Sequence, residues 1–187
     1  MISPRPDSVR AWLLDAGRID AAVFEAITQT PTPSLDAGMR RLTRAADYSR
    51  LWIAGAAVLA STRGASGRRA AASGLASVAV ASAIANLVVK PLARRRRPDG
   101  GGLLAARRAR VPGSSSFPSG HSASAFAFAT GVGSVLPCEA IPIRALAALV
   151  AYSRVHTGVH YPADALAGAF LGTTLAQLTC RALGRRR

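Results

Sequence analysis

The chain has 187 residues, half of them hydrophobic and only 5% aromatic, and carries a net charge of +15. That length holds one domain or one compact helical bundle. The basic excess comes from 23 arginines and a single lysine; without interleaved aromatics or a nucleic-acid-binding motif it excludes nucleic acid as partner and points to acidic lipid headgroups or an anionic substrate. Cys138 and Cys180 lie far apart with no paired-cysteine motif, so neither a disulfide framework nor a zinc site is indicated.

Taken in chain order, residues 9 to 29 place Val9, Trp12, Leu13, Ala16, Ile19, Val23 and Ile27 three or four apart. This spacing predicts an amphipathic helix lying at a membrane interface. The charges Asp7, Asp15, Asp20 and Glu25 amid Arg10 and Arg18 argue against a cleavable signal peptide. "TPTPS" at 30 to 34 breaks the helix, and the basic "GMRRLTRAADYSR" leads into an apolar span near residue 51. After the short turn "RGASGRR", residues 70 to 89 carry no charge at all. Such a run, at about 1.5 Å per residue, crosses roughly 30 Å of bilayer hydrocarbon.

Residues 93 to 117 form the one long polar connection, marked as loop by glycines 100 to 102 and serines 114 to 116. Read without a function, it is a flexible linker whose arginines hold headgroups. Further helices are predicted to start near Ser119, near Ile141 and at Pro162, where proline suits the first turn. Residues 122 to 138, 145 to 153 and 165 to 180 are their uncharged stretches. The expected fold is all-α: an integral membrane helical bundle of four or five spans plus the N-terminal amphipathic helix. An Ala-rich soluble bundle is the competing reading, and the long uncharged run counts against it. The expected organisation is an interfacial segment at 1–50, a membrane-embedded domain at 51–183 and a basic tail at 184–187. There is no internal repeat.

Three short segments hold nearly all the plausible chemistry: "KPLARRRRP" with Lys90 and Arg97, "PSGH" with Ser119, Gly120 and His121, and "SRVHTGVHYPAD" with Arg154, His160 and Asp164. Each lies at an end of an apolar helix, and alternating helix directions put all three on one face of the membrane. Lys90, Arg97 and Arg154 together can neutralise a phosphate dianion and the charge that builds up in phosphoryl transfer. Ser119 and Gly120 open a helix, so their backbone N–H groups can face an anion. Asp164, four residues past His160, can take the proton of one ring nitrogen and leave the other lone pair free to attack phosphorus. His121 is then the general acid for the departing oxygen. His156 fits no such pattern and is expected to be structural or a substrate contact.

With these spacings the chain resembles the type 2 phosphatidic acid phosphatase superfamily, whose signature is Lys, six residues and Arg-Pro, then Pro-Ser-Gly-His, then Ser-Arg, five residues, His, three residues and Asp. Every element stands here in order between residues 90 and 164. The resemblance implies a six-helix core and metal-independent hydrolysis through a phosphohistidine. His160 would be the nucleophile, Asp164 its orienting partner and His121 the acid, with Lys90, Arg97, Ser119, Gly120 and Arg154 holding phosphate. No cofactor is implied.

Rival chemistries find less support. No Asp-x-Asp pair is present to hold magnesium beside an aspartyl nucleophile, and three histidines with scattered acids do not make a two-metal site. Two Cys-x5-Arg matches, from Cys138 and from Cys180, lack a Gly-rich loop. Vanadium-dependent haloperoxidases share the constellation but are soluble and larger. A non-catalytic membrane protein that binds anionic lipid would not need the His–Asp pair.

The expected partner is a lipid phosphate within membrane lipid. Among members of the superfamily, the short Ala/Arg/Gly-rich chain is similar to the actinobacterial decaprenylphosphoryl-5-phosphoribose phosphatases. Phosphatidic acid, phosphatidylglycerophosphate and polyprenyl diphosphate stay open as substrates. With five spans, ten arginines flank the active-site face and eight the other, which leans towards a cytoplasmic site in a bacterial cell membrane. A bundle with several short spans could also pack against a copy of itself as a homo-oligomer.

Overall fold

Proline and glycine punctuate the apolar runs, and helices fill the intervals. The computed structural model describes residues 6–99, 107, 109, 111 and 113–184, among which there is no strand. In order come α1 (Pro6–Gln29), α2 (Pro33–Ala45), a 3₁₀ turn (Asp47–Ser49), α3 (Arg50–Thr62) and α4 (Gly64–Ala83). The last of these runs through a π-helical stretch (Ile84–Val89) into α5 (Lys90–Ala93), followed by α6 (Gly120–Gly133), α7 (Ala140–His156) and α8 (Pro162–Gly184). Glycines 100–102, Arg108, Arg110 and residues 185–187 of the basic tail lie outside the described residues.

The alanine-rich composition follows from how closely these helices pack. Helix α6 is central and touches α4, α7 and α8, while α3 packs on α4. Ala123, Ala125, Ala127 and Ala129 of α6 are fully buried. Gly168 and Gly172 of α8 lie so close to α6 that a Cβ there would stand 2.3 Å from the Ser119 carbonyl oxygen and 2.1 Å from that of Ala123. Small residues four apart are how apolar helices bring their backbones together where lipid rather than water surrounds them. An aromatic contact of the core, Trp52 on Phe128 at 5.5 Å between centroids, fills the space between α3 and α6.

The outside of the bundle is apolar too. Trp12, Ile53, Ile141 and Phe170 stay exposed on α1, α3, α7 and α8, a girdle suited to lipid contact. On α1, Trp12, Leu13, Ile19 and Val23 are exposed, while Asp20, Phe24 and Thr28 are buried against the bundle. Of the expected four or five spans, one helix among the described residues is long and apolar enough to cross a membrane, the continuous Gly64–Ala93. Helices α3, α6 and α7 have 13, 14 and 17 residues, below the roughly 20 that a perpendicular crossing needs.

Part of the long polar connection is anchored rather than free. Arg107 is fully buried, with Nε donating to Asp36 Oδ1 at 2.8 Å, Nη1 to the Thr28 carbonyl at 3.0 Å and Nη2 to that of Thr30 at 2.6 Å. The guanidinium thereby satisfies carbonyls left unpaired where α1 ends. Two of its partners also meet His156, whose Nε2 lies 3.0 Å from Thr32 Oγ1 and 3.4 Å from Asp36 Oδ1. His156 thus stitches α7 to the α1–α2 turn.

Candidate active site

The segment spacings have local physical causes. After α7 ends, the chain reverses at Gly158, whose φ of 72° is left-handed and suits glycine. The returning N–H groups of Val159 and His160 both donate to the Arg154 carbonyl at 3.1 Å. Five intervening residues are what this turn needs to carry His160 back beside Arg154. Helix α8 then starts at Pro162 and brings Asp164 to the same place.

Lys90, Arg97, Gly120, His121, Arg154 and His160 share the walls of one cavity of about 220 Å³. Lys90 Nζ donates to Asn86 Oδ1 at 2.8 Å and stands 3.5 Å from where a Gly120 Cβ would be. The π-helical stretch holds Asn86 and changes the register of the helix just before Lys90; such insertions recur at functional sites. Arg154 is buried, with Nη1 donating to Thr43 Oγ1 and Nε without a hydrogen-bond partner among the described residues. Arg97 is fixed by its Nε donating to the Ser114 carbonyl at 2.9 Å and its Nη1 to that of Val159 at 3.0 Å.

The state of His160 can be read from its neighbours. Arg97 Nη1 lies 3.1 Å from His160 Nε2, and a guanidinium can only donate. Nε2 therefore offers its lone pair, and the ring proton sits on Nδ1. Nδ1 looks towards Asp164 Oδ2 at 3.6 Å, beyond direct hydrogen-bond length, and towards Ser116 Oγ at 3.5 Å. Ser116 in turn donates to Asp164 Oδ2, so its hydroxyl stands where the two catalytic candidates join. Burial, with Arg154 and Arg97 adding repulsion, pushes the His160 ring down to about 4 against the pull of Asp164. The ring is neutral at ordinary pH.

Asp164 is fully buried and holds four polar contacts. Besides His160 and Ser116, Oδ2 accepts the Tyr161 N–H at 3.0 Å, and Oδ1 accepts Arg95 Nη1 at 2.8 Å. Arg95 also stacks 4.4 Å over the Tyr161 ring and donates from Nη2 to Asp20 Oδ2 at 2.6 Å. Asp20 Oδ1 accepts the Ala163 N–H at 2.8 Å, at the start of α8. A chain of polar contacts thus runs from α1 through Asp20 and Arg95 to Asp164.

The α6 terminus differs from expectation in one respect. Ser119 caps the helix, accepting from Ser122 N at 3.4 Å, but its own N–H donates to the Asp164 carbonyl at 2.9 Å. That N–H is committed within the protein, and Ser119 lies beneath the cavity rather than in its wall. Gly120 and His121 are left as first-turn N–H groups without an intrahelical acceptor. Across the cavity, His121 Nε2 meets Asp47 Oδ1 at 2.9 Å. Asp47 is presented by Tyr48 and Ser49, with left-handed φ of 54° and 59°. His156 does not line the cavity.

Sequence reasoning missed Ser116, Asp47, Arg95, Asp20 and Thr43. Only Arg95, inside an arginine run next to a site segment, carried any signal, and a run of four gives no means of choosing among its members.

A buried histidine–aspartate pair beside a three-cation cavity at the ends of apolar helices defines a class, that of helical bundles whose chemistry is suited to an anionic group. The chain belongs to the PAP2 superfamily, whose family model matches residues 70–187. It is 34% identical over 160 residues to the decaprenylphosphoryl-5-phosphoribose phosphatase of Mycolicibacterium smegmatis, covering 82% of this chain and 83% of that one. The enzyme of that name from Mycobacterium tuberculosis is 39% identical over 103 residues, 53% of each chain; here the match spans about half the length of the curated relative. Among solved structures, Aquifex aeolicus LpxE superposes with a TM-score of 0.72 at 21% identity, over 87% of this chain and 95% of that one. A transmembrane PAP2-type phosphatidylglycerolphosphate phosphatase from Bacillus subtilis gives 0.68 at 26% identity, over 92% and 87%.

Proposed function

We propose that the chain is a lipid-phosphate phosphatase that works through a phosphohistidine without a metal. The observation that carries this reading is the His160 ring, with Nε2 beside Arg97 Nη1 at the cationic cavity and Nδ1 towards Ser116 and Asp164. The substrate phosphate takes the space between Lys90, Arg97 and Arg154, with the Gly120 and His121 N–H groups as further donors. The His160 Nε2 lone pair attacks phosphorus and the bond from phosphorus to the lipid oxygen breaks. Burial and then Arg154 push the free His121 ring down to about 4, so the acid is His121 charged by the bound phosphate dianion. It gives that oxygen its Nδ1 proton while Nε2–H stays on Asp47, and the lipid alcohol leaves. Water then attacks the phosphohistidine, His121 takes the water's proton, and the P–N bond breaks to release inorganic phosphate and neutral His160. Asp164 and Ser116 orient His160, and Asp47 orients His121.

The relatives named for decaprenylphosphoryl-5-phosphoribose support that lipid as substrate, with the 5-phosphate as the group removed. The arginine bias supports a cytoplasmic active-site face.

The test is phosphate release by purified protein in detergent with EDTA, using polyprenylphosphoryl 5-phosphoribose, phosphatidic acid and polyprenyl diphosphate. EDTA-resistant release that falls at least a thousandfold in His160→Ala, as loss of a covalent nucleophile demands, is the expected result. Release that stops in EDTA, or persists in the variant, contradicts the mechanism.

A further inference from the structure

The four arginines 94 to 97 do two different jobs. Helix α5 ends at Ala93, and Arg94, with a φ of 46°, turns the chain into a non-helical segment through Asp99. In that segment the side chains alternate: Arg95 and Arg97 are half-buried, Arg94 and Arg96 exposed. The inner pair is anchored within the protein, Arg95 by Asp20 and Asp164, Arg97 by Ser114, Val159 and His160, with Arg97 also in the wall of the catalytic cavity. In the outer pair, only Arg94 Nε has a hydrogen-bond partner among the described residues, the Pro91 carbonyl at 3.3 Å.

All four arginines line a second cavity, a groove of about 660 Å³, and among the described residues it is Arg94 and Arg96 whose terminal guanidinium nitrogens are not already engaged within the protein. Lys90, Arg97 and Ser114 belong to its walls and to those of the catalytic cavity, so the two spaces adjoin. Asp99 lines the groove as well, an acceptor rather than a donor. Beside it, Leu87 and Leu92 are more than three-quarters exposed on the same continuous helix, an apolar surface suited to a lipid tail.

From this we infer that the groove binds a second anion of the same substrate. The ligand class is a lipid in which a terminal phosphomonoester is joined by a short hydroxylated link to a lipid-borne phosphodiester. The monoester enters the catalytic cavity, and Arg94 and Arg96 hold the phosphodiester by charge-assisted hydrogen bonds. Asp99 accepts from a hydroxyl of the link, and the chain of the lipid leaves past Leu87 and Leu92. A lipid with one phosphate leaves the outer guanidinium groups without an anion, so the groove selects between substrates. This rests on the phosphatase reading above and makes Arg94 and Arg96 specificity-determining residues.

The experiment compares kcat/KM in mixed micelles for two lipids of that class, polyprenylphosphoryl 5-phosphoribose and phosphatidylglycerophosphate, with kcat/KM for phosphatidic acid. The quantity read is the ratio of two-phosphate to one-phosphate lipid, which a change in the folded fraction does not move. Wild type is expected to favour a two-phosphate lipid, and Arg94→Gln/Arg96→Gln to lower the ratio about tenfold or more, mainly through KM. Arg94→Lys/Arg96→Lys should retain part of the preference, and salt should erode it in wild type. Wild type without a preference, or a ratio that survives the double glutamine variant, overturns the inference. So does an equal loss on every lipid, which marks general attraction to anionic surfaces. Hydrolysis of phosphatidic acid without selectivity defeats the groove alone, whereas no hydrolysis of any lipid defeats the phosphatase reading and the groove with it.

Discussion

Protonation of His160 is the first consequence to follow at the residue scale. Its folded-state value of about 4 lies below the ordinary 6.5, so between these limits acid charges the unfolded ring and not the folded one. Stability from this group is therefore complete above pH 6.5 and is lost as pH falls towards 4. An NMR titration of ring-labelled protein in detergent should place the His160 midpoint near 4; a midpoint near 6.5 would show that burial and the two arginines do not act as described. Arg95→Gln removes the cation between Asp20 and Asp164 and should lower kcat about ten- to a hundredfold with little change in KM. Arg95→Lys should recover part of the rate, and a loss confined to KM would place Arg95 in binding instead. Lys90, Arg97, His121, Arg154, His160 and Asp164 were legible in the sequence because each keeps a fixed spacing from a helix end. Asp47, Ser116 and Thr43 were not, because only the packing of distant segments brings them in. Ser119 shows the limit in the other direction: its place at the helix start was legible, and the commitment of its N–H to the Asp164 carbonyl was not.

Among the elements, the contact between α6 and α8 is the one the site depends on, since it carries Gly120 and His121 on one side and Asp164 on the other. Gly172→Leu forces a side chain into the Ala123 carbonyl and should lower the melting temperature and abolish activity together. Retained activity at a lowered melting temperature would show that the two helices need not meet so closely. Arg107→Ala leaves Asp36 buried and uncompensated, at a cost of about 3–5 kcal/mol, and should free the α1–α2 segment to proteolysis before the bundle unfolds. Helix starts near 119, 141 and 162 were readable from proline, serine caps and charge. The π-helical stretch before Lys90 was not, because "IANLVVK" contains no residue that marks it. Nor could a charged loop reveal that one of its arginines caps α1.

For the whole molecule, the proposed cytoplasmic active-site face fixes where each loop lies. Cys138, exposed between α6 and α7, lies at the end of α6 away from Gly120 and serves as a native probe. A cytoplasmic active site predicts that a membrane-impermeant maleimide labels Cys138 in intact cells; labelling only after lysis would invert the orientation. The bundle itself was legible as a class from its uncharged runs. The length of its spans was less so, since alanine and glycine lower hydropathy while allowing the close packing seen between α6 and α8. The claim on which the whole account turns is the covalent bond from phosphorus to His160. Its most direct measurement is mass spectrometry after an alkaline quench, which preserves phosphohistidine, of protein mixed with polyprenylphosphoryl 5-phosphoribose or phosphatidic acid. The account predicts a phosphoryl group on the peptide holding His160 in wild type and its absence in His160→Ala. A phosphorylated His160→Ala protein, or rapid phosphate release with no adduct on wild type at any quench time, would contradict it.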